Sequence, residues 1–173
     1  LPRADWGKAL AHSGLGITIL AIAGLLAWSK EDIRIVNIGE EWSIGSYDMK
    51  LLDVKPINGP NYKATVATVE LRKGDKFITT IKPEKRYYSI AKTPTTEAGI
   101  DYRLFRDVYI VLGDPRESGG WTIRSYIKPL ASWIWLGSIV MALGGLLSLS
   151  DRRLRIAAST KKVFLANRVT PSS

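Results

Sequence analysis

Two long apolar runs, separated by about a hundred residues of mixed polarity, constrain the fold of this chain more than any other feature. They cover residues 9–28 and 130–149, and neither contains Asp, Glu, Lys or Arg. A helix of twenty residues, the length of each run, spans about 30 Å, which is the thickness of the hydrocarbon layer of a bilayer. The sequence therefore predicts an α+β membrane protein in which two transmembrane helices flank a folded domain.

The runs divide the chain into four predicted segments. These are a transmembrane helix over residues 1–28, a domain over 29–129, a second transmembrane helix over 130–150 and a tail over 151–173. The first run partly resembles a signal peptide, since Arg3 and Lys8 precede it and residues 21–23 look like a cleavage site. The apolar run continues to Trp28, beyond the usual length in a signal peptide, so we interpret it as a retained span.

Positive charge is concentrated in the tail. The chain carries 25 Lys and Arg against 16 Asp and Glu, a formal net charge of +9. Beyond the second run, Asp151 is accompanied by Arg152, Arg153, Arg155, Lys161, Lys162 and Arg168. Basic residues that flank membrane spans stay on the cytoplasmic side, so both termini are predicted there and residues 29–129 outside. The domain lacks the clustered positive charge that nucleic-acid binding needs, and we expect no nucleic-acid partner.

The middle domain has the pattern of short β-strands. Alternating apolar and polar residues bounded by turn residues predict seven or eight strands, which is typical of a small antiparallel barrel or sandwich. The predicted strands cover residues 33–38, 42–44, 47–54, 62–72, 77–81, 87–90, 107–112 and 121–127. The secondary structure of residues 100–105 is ambiguous from the sequence. The predicted core comprises Val54, Val66, Val69, Leu71, Ile81, Ile110, Leu112 and Ile123.

Composition excludes several chemistries. The chain has no cysteine and one histidine, His12, which lies in the first apolar run. Disulfides, thiolate metal sites, a histidine-based zinc site and a Ser/His/Asp triad are therefore not expected. We assign no catalytic residue, and the domain is interpreted as a docking or shaping module.

His12 is the residue whose position most needs an explanation. An ionisable group at membrane depth is costly and normally faces a partner. One interpretation is a packed histidine, satisfied by a neighbouring helix or by interfacial water. The other is an axial ligand of a haem held between helices, with His12 binding the iron. On a helix, Gly16 lies one turn further along the same face and would admit a flat ring, and Lys8 lies one turn earlier, where its ammonium would pair with a haem propionate.

A single histidine supplies one strong axial ligand, so a second ligand must come from outside this chain. Two functions from other classes remain open on the residues alone. In one, the chain is a membrane-anchored assembly protein that docks partners and holds no haem. In the other, it is part of a transporter or channel in which His12 relays protons, although one histidine in two spans makes a poor proton pathway.

Several distinctive motifs are spread along almost the whole chain. They are ALAHSG (9–14), GPNY (59–62), PEKRYY (83–88), TTEA (95–98), DVYIVLGD (107–114), WIWLG (133–137) and ALGGLLSLSDRR (142–153). On these segments the chain resembles the C-terminal part of the CcmF family, the cytochrome c haem lyase components of the bacterial and mitochondrial cytochrome c maturation system.

The resemblance implies a role in attaching haem to apocytochrome c. Family members hold a haem b between two transmembrane histidines, and only His12 matches one of these positions. That haem is expected to reduce the haem delivered by the chaperone CcmE. The family's tryptophan-rich segment and its other haem-binding histidines are missing here. We therefore expect a fragment or one polypeptide of a split protein, which by itself does not attach haem.

The resemblance also implies a location and partners. The expected location is the bacterial inner membrane with the β domain in the periplasm, or the mitochondrial inner membrane for a split form. Expected partners are the remainder of CcmF or its split counterpart, CcmE, CcmH/CcmI, apocytochrome c and membrane lipid. In the PEKRYY motif, Arg86, Tyr87 and Tyr88 are interpreted either as a contact for haem propionates or a partner, or as an ordinary strand edge beside a turn proline.

Overall fold

The computed structural model describes residues 2–90, 92–117 and 119–150. Within them it contains two helices, α1 (Arg3–Trp28) and α2 (Ala131–Leu149), which flank ten antiparallel strands. This arrangement confirms the predicted fold class. The basic tail predicted over residues 151–173 lies outside the described residues.

The strands form two sheets. One sheet has the order β1-β10-β9-β8, and the other has the order β2-β3-β4-β6-β7 with β5 also paired to β4. The strands are β1 (Lys30–Val36), β2 (Glu41–Ile44), β3 (Tyr47–Asn58), β4 (Tyr62–Lys73), β5 (Lys76–Ile81), β6 (Glu84–Tyr88), β7 (Thr93–Glu97), β8 (Gly99–Tyr102), β9 (Arg106–Pro115) and β10 (Trp121–Pro129).

Two strands end earlier than the sequence pattern predicted. Residues 37 and 38 leave β1, because the Asn37 amide and side chain both donate hydrogen bonds to Glu40 Oε2, at 2.9 and 3.1 Å, and Gly39 has a φ of +89°. These contacts favour a tight turn over a continued strand. Residues 89 and 90 leave β6, because the Lys92 amide donates to the Tyr88 carbonyl and closes a turn.

Side chains from both sheets meet in one core. Met49, Leu51 and Leu71 come from one sheet and Ile110 and Ile123 from the other, and all are almost completely buried. Of the predicted core, six members are buried, namely Val69, Leu71, Ile81, Ile110, Leu112 and Ile123. Val54 is partly buried against the core, and Val66 is half-buried. The indole N–H of Trp42 on one sheet donates a hydrogen bond to Ser125 Oγ on the other sheet at 3.1 Å. This bond pairs the buried indole nitrogen with the buried hydroxyl.

The chain divides into two compact units. Residues 21–132 form the β unit, and residues up to 20 together with α2 from Trp133 onward form the helix unit. In the helix unit, α1 and α2 run antiparallel and approach backbone to backbone. A Cβ added at Gly14 would lie 2.6 Å from the Gly137 carbonyl oxygen, and one added at Gly7 would lie 2.5 Å from the Ser148 amide nitrogen. Both helices are long and apolar enough to cross a membrane.

Candidate functional site

His12 lies on the flank of α1, away from the glycines that pack on α2. The face of α1 that packs on α2 carries Gly7 and Gly14. With 100° between successive residues, His12 lies about 140° around the helix from Gly7 and about 160° from Gly14. Its side chain is exposed in this chain. The position leaves the imidazole available to a group outside the α1–α2 pair.

The hydrogen bonding of His12 defines its tautomer. The Nδ1 atom lies 2.7 Å from the backbone carbonyl oxygen of Lys8. Because a carbonyl oxygen only accepts, Nδ1 carries the proton and donates it, and the lone pair of the neutral ring is on Nε2. Histidines that bind a metal commonly use this arrangement, in which a backbone carbonyl or carboxylate holds the other ring nitrogen.

The surface beside His12 is open. Gly16 lies one turn further along α1, and a Cβ added there would meet no atom within 4 Å. A shallow groove of about 240 Å³ is lined by Ala11, His12, Leu15 and Met141. It is smaller than the roughly 300–1,000 Å³ of pockets that enclose a drug-sized ligand. The helix pair therefore provides one wall of a site rather than a complete cavity.

Lys8 has a neighbour that the sequence analysis did not consider. Its Nζ lies 3.5 Å from Asp5 Oδ1, and both side chains are largely exposed. The spacing of three residues in a helix, visible in the sequence, could have indicated this pair. An anion at Lys8 would compete with the Asp5 carboxylate.

Arg86 lies at the centre of a separate cluster in the β unit. Its guanidinium carbon is 4.7 Å from the centroid of the Tyr62 ring, its Nε donates to Glu84 Oε2 at 2.8 Å, and a second nitrogen lies 3.8 Å from Glu97. The Tyr62 and Tyr88 rings pack with their centroids 5.5 Å apart. Hydrogen bonds to Glu84 and Tyr88 raise the pKa of Arg86.

The cluster joins two of the motifs noted in the sequence. Tyr62 from GPNY pairs with Tyr88 of PEKRYY across β4 and β6. Sequence reasoning named Arg86, Tyr87 and Tyr88 but missed Tyr62 and the two carboxylates, because strand register decides which residues meet. Tyr87 remains about half exposed on the surface. His12 belongs to the helix unit and this cluster to the β unit.

Residues 27–129 match a family model described as the CcmF C-terminal β-sandwich. The chain belongs to the CcmF family. This finding confirms the resemblance seen in the sequence motifs, and of the two predicted architectures, barrel and sandwich, it selects the sandwich.

Curated relatives extend the match beyond the sandwich. The chain is 50% identical over 169 residues to the cytochrome c-type biogenesis protein ccl1 of Rhodobacter capsulatus, covering 98% of this chain and 26% of that protein. It is 43% identical over 158 residues to the cytochrome c-type biogenesis protein CcmF of Escherichia coli, covering 91% and 24%. The chain thus spans about a quarter of the length of these relatives.

A solved structure shares the fold. The structure titled "Cytochrome c Heme Lyase CcmF" aligns with a TM-score of 0.70 and 22% sequence identity, over 86% of this chain and 25% of that one. The match covers more of the chain than the sandwich alone. The curated relatives thus share the sequence of this chain, and the solved structure shares its fold.

Proposed function

We propose that this chain is the C-terminal part of a membrane-bound cytochrome c haem lyase and that His12 is one axial ligand of its haem b. The observation that carries the assignment is the hydrogen bond from His12 Nδ1 to the Lys8 carbonyl oxygen, which places the lone pair of the neutral ring on Nε2. Neutral imidazole nitrogen is a standard ligand for haem iron. The side chain is exposed on the flank of α1, so Nε2 is accessible from a neighbouring helix.

The residues around His12 suit a flat macrocycle. Gly16 has no atom within 4 Å of an added Cβ, so a ring plane can approach the helix backbone there. Lys8 lies one turn closer to the start of α1. Its ammonium, which pairs with Asp5 in this chain, would pair with a haem propionate instead. When bound, this haem supplies one-electron chemistry, which the lyase would use to reduce the haem that is to be attached.

His12 is the only histidine in the chain, so a second axial histidine would come from another segment or polypeptide. The chain is therefore one half of a haem site, and alone it attaches no haem to a cytochrome. The partners in this proposal are the remaining part of CcmF or its split counterpart, CcmE, CcmH/CcmI and apocytochrome c.

The proposed topology places both helices across the inner membrane and the β-sandwich in the periplasm. The large apolar side chains on the outer surfaces of both helices support this topology, because their exposure to water would be unfavourable. These exposed side chains are Leu15, Ile19, Trp135, Ile139 and Leu146. Trp28 and Trp135 lie at the helix ends that adjoin the sandwich, as tryptophans do at membrane interfaces.

Absorption spectroscopy of the full protein that carries this segment tests the haem assignment. We expect His12→Ala to lower the haem b content per protein by more than about tenfold, since loss of even an outer partner of a ligand costs 10–100-fold in affinity. The low-spin spectrum of any residual haem should change as well.

Ser13→Ala is the matched control. Ser13 is the adjacent exposed residue on α1, and its hydroxyl donates to the Ala9 carbonyl at 2.8 Å. Its haem content should equal that of the unmodified protein. A normal low-spin spectrum in His12→Ala would refute the ligand assignment and favour a docking protein whose histidine is merely packed.

A further inference from the structure

Both connections to the helices leave the β unit at the same end of the sandwich. α1 ends at Trp28 and β1 begins at Lys30, while β10 ends at Pro129 and α2 begins at Ala131. Lys30 pairs with Ile127 across the two adjacent strands. We call this the basal end; it is the part of the sandwich nearest in sequence to both proposed membrane spans.

A basic and aromatic pocket of about 490 Å³ lies at the basal end. Its cations come from two connections, Lys73 and Lys76 from the β4–β5 turn and Arg103 and Arg106 from the β8–β9 connection, and Tyr47 and Phe105 add aromatic surface. None of the lining residues in the described part of the chain is Asp or Glu. The volume is within the range of pockets that bind small molecules.

The arginines of this basal pocket are held in place by hydrogen bonds and ion pairs. Arg106 donates to Tyr47 Oη at 2.8 Å, lies 4.3 Å from the centroid of that ring and pairs with Asp101 at 2.6 Å. Arg103 Nε lies 3.3 Å from Oδ2 of the same Asp101 carboxylate. One carboxylate therefore serves two guanidinium groups, while the buried Asp107 carboxylate accepts a hydrogen bond from the Arg103 amide at 3.1 Å.

The two lysines supply positive charge that no described ion pair neutralises. Both are exposed, and across the described residues neither lies within ion-pair distance of a carboxylate. Lys73 Nζ lies 5.7 Å from the centroid of the Tyr47 ring, which faces the same pocket. The pocket thus has the charge and geometry to receive an anionic group.

An apolar rim connects the pocket to the start of α2. Leu104 and Phe105 are exposed beside the arginines. The Leu130 amide donates to the Phe105 carbonyl at 3.1 Å, and Ser132 Oγ donates to the Arg103 carbonyl at 3.4 Å. The rim is therefore fixed to the residues at which α2 begins, a level that the proposed topology places at the membrane surface.

We propose that the basal pocket binds the phosphate of an anionic phospholipid from the outer leaflet, with Leu104 and Phe105 against its acyl chains. A charged head joined to an apolar body is the ligand that matches four cations beside an exposed apolar rim. Basic residues at a membrane surface are attracted to anionic lipid in this way. The inference rests on the proposed topology but not on haem binding by His12.

Lipid selectivity of the full protein tests the inference. The protein is equilibrated in mixed micelles with equal amounts of phosphatidylglycerol and phosphatidylcholine and re-isolated, and both lipids bound per protein are quantified. We expect enrichment of phosphatidylglycerol, and we expect Lys73→Ala/Lys76→Ala to reduce the enrichment, by up to about fivefold for each lysine removed. Added salt should also reduce the enrichment of phosphatidylglycerol, because it screens the attraction between the lysines and the phosphate.

Lys63→Ala/Lys82→Ala is the matched control, because it removes the same charge from exposed positions at the opposite ends of the same strands. Lys63 lies at the start of β4, which ends at Lys73, and Lys82 directly follows β5, which begins at Lys76. This variant should keep the enrichment. An equal loss in both variants, or no loss in either, would overturn the site.

Two further readouts complete the test. Inorganic phosphate added at constant ionic strength should not displace the lipid; displacement would show a site for soluble anions and overturn the lipid assignment. Haem absorbance of the same preparations separates the proposals. Loss of lipid selectivity with normal haem supports the pocket, while normal haem without any lipid selectivity rejects it and leaves the role of His12 intact.

Discussion

The β unit and the helix unit contain similar apolar residues but arrange them in opposite ways. In the β unit, large side chains such as Met49, Leu51 and Leu71 are buried between the sheets. In the helix unit the buried positions of α2 are Gly137 and Gly144, while Trp135 and Leu146 are 75% and 64% exposed. The large side chains face inward in one unit and outward in the other.

The difference shows which interaction holds each unit together. Removing apolar area from water stabilises the sandwich, by about 25 cal/mol per Å². Between helices in lipid that driving force is missing, and close packing of small residues replaces it. The glycines at the α1–α2 contact allow the backbones to approach, and the large residues remain for lipid or for further helices.

The largest expected effect is on the sandwich core. Leu51→Ala should lower the free energy of unfolding of the β unit by about 2–5 kcal/mol, because the side chain is 0% exposed and its removal leaves a cavity. Hydrogen exchange of β-unit amides in the full protein measures the change.

Leu52→Ala provides the control from the next position along β3. Leu52 lies where the register shifts between Leu51 and Asp53, and it is 41% exposed. Truncation of its side chain should lower the free energy of unfolding far less than Leu51→Ala does. Equal costs at the two positions would contradict the inward arrangement of large side chains in this unit.

The next effect concerns the helix unit. Gly14→Ala should destabilise the α1–α2 pair by about 1–3 kcal/mol, since the added Cβ would lie 2.6 Å from backbone atoms of Gly137 and Met141. The thermal unfolding midpoint of the full protein in detergent should fall accordingly.

Gly145→Ala adds the same methyl group on α2, at a position where nothing lies within 4 Å. It should leave the midpoint unchanged or raise it slightly, because alanine is the better helix former. If this variant unfolds as early as Gly14→Ala, close approach is not what holds the helices together.

A smaller effect tests the polar contact between the sheets. Ser125→Ala should cost about 1–2 kcal/mol, because the Trp42 indole N–H would lose its acceptor in a buried site. In a Trp42→Phe background the same change should cost less. Opening free energies from hydrogen exchange of the unmodified protein, the two single variants and the double variant form a double-mutant cycle, and strictly additive costs would show that the bond contributes nothing.

The smallest effect is expected at the surface of the sandwich. A hydrogen bond from Lys85 lowers the pKa of Asp114, a largely exposed carboxylate. Any stabilisation is present above the ordinary carboxyl pKa of about 4 and disappears as the pH falls through the lowered value. Asp114→Asn should therefore change thermal stability very little at pH 7, and less still in high salt. A loss comparable to that of Leu51→Ala would contradict this ranking.

Local patterns were enough to predict the helices and most strands. The charge-free runs indicated α1 and α2, and the alternation in β4 placed Val69 and Leu71 in the core. The edge strand β7 was missed because its residues are almost all exposed and show no alternation; it forms through backbone pairing with β6. That pairing depends on distant residues rather than on its own sequence.

The candidate site was predictable only in part. His12 and Gly16 could be named as candidates because helical spacing and the scarcity of ionisable residues in an apolar run are visible in sequence. The contact of Arg86 with Tyr62 depends on the β4–β6 register. The basal pocket combines β3, the β4–β5 turn and the β8–β9 connection, so only the folded chain brings its charges together.

Adjacent pairing of β1 with β10 has a consequence for assembly of the membrane hairpin. Paired strands keep their backbones about 5 Å apart, so the points where α1 ends and α2 begins are tethered as closely as by a short loop. The sandwich therefore has the anatomy of a domain inserted into a helical hairpin through neighbouring termini. Once it has folded, it confines the second helix near the first and favours their association through a high effective concentration.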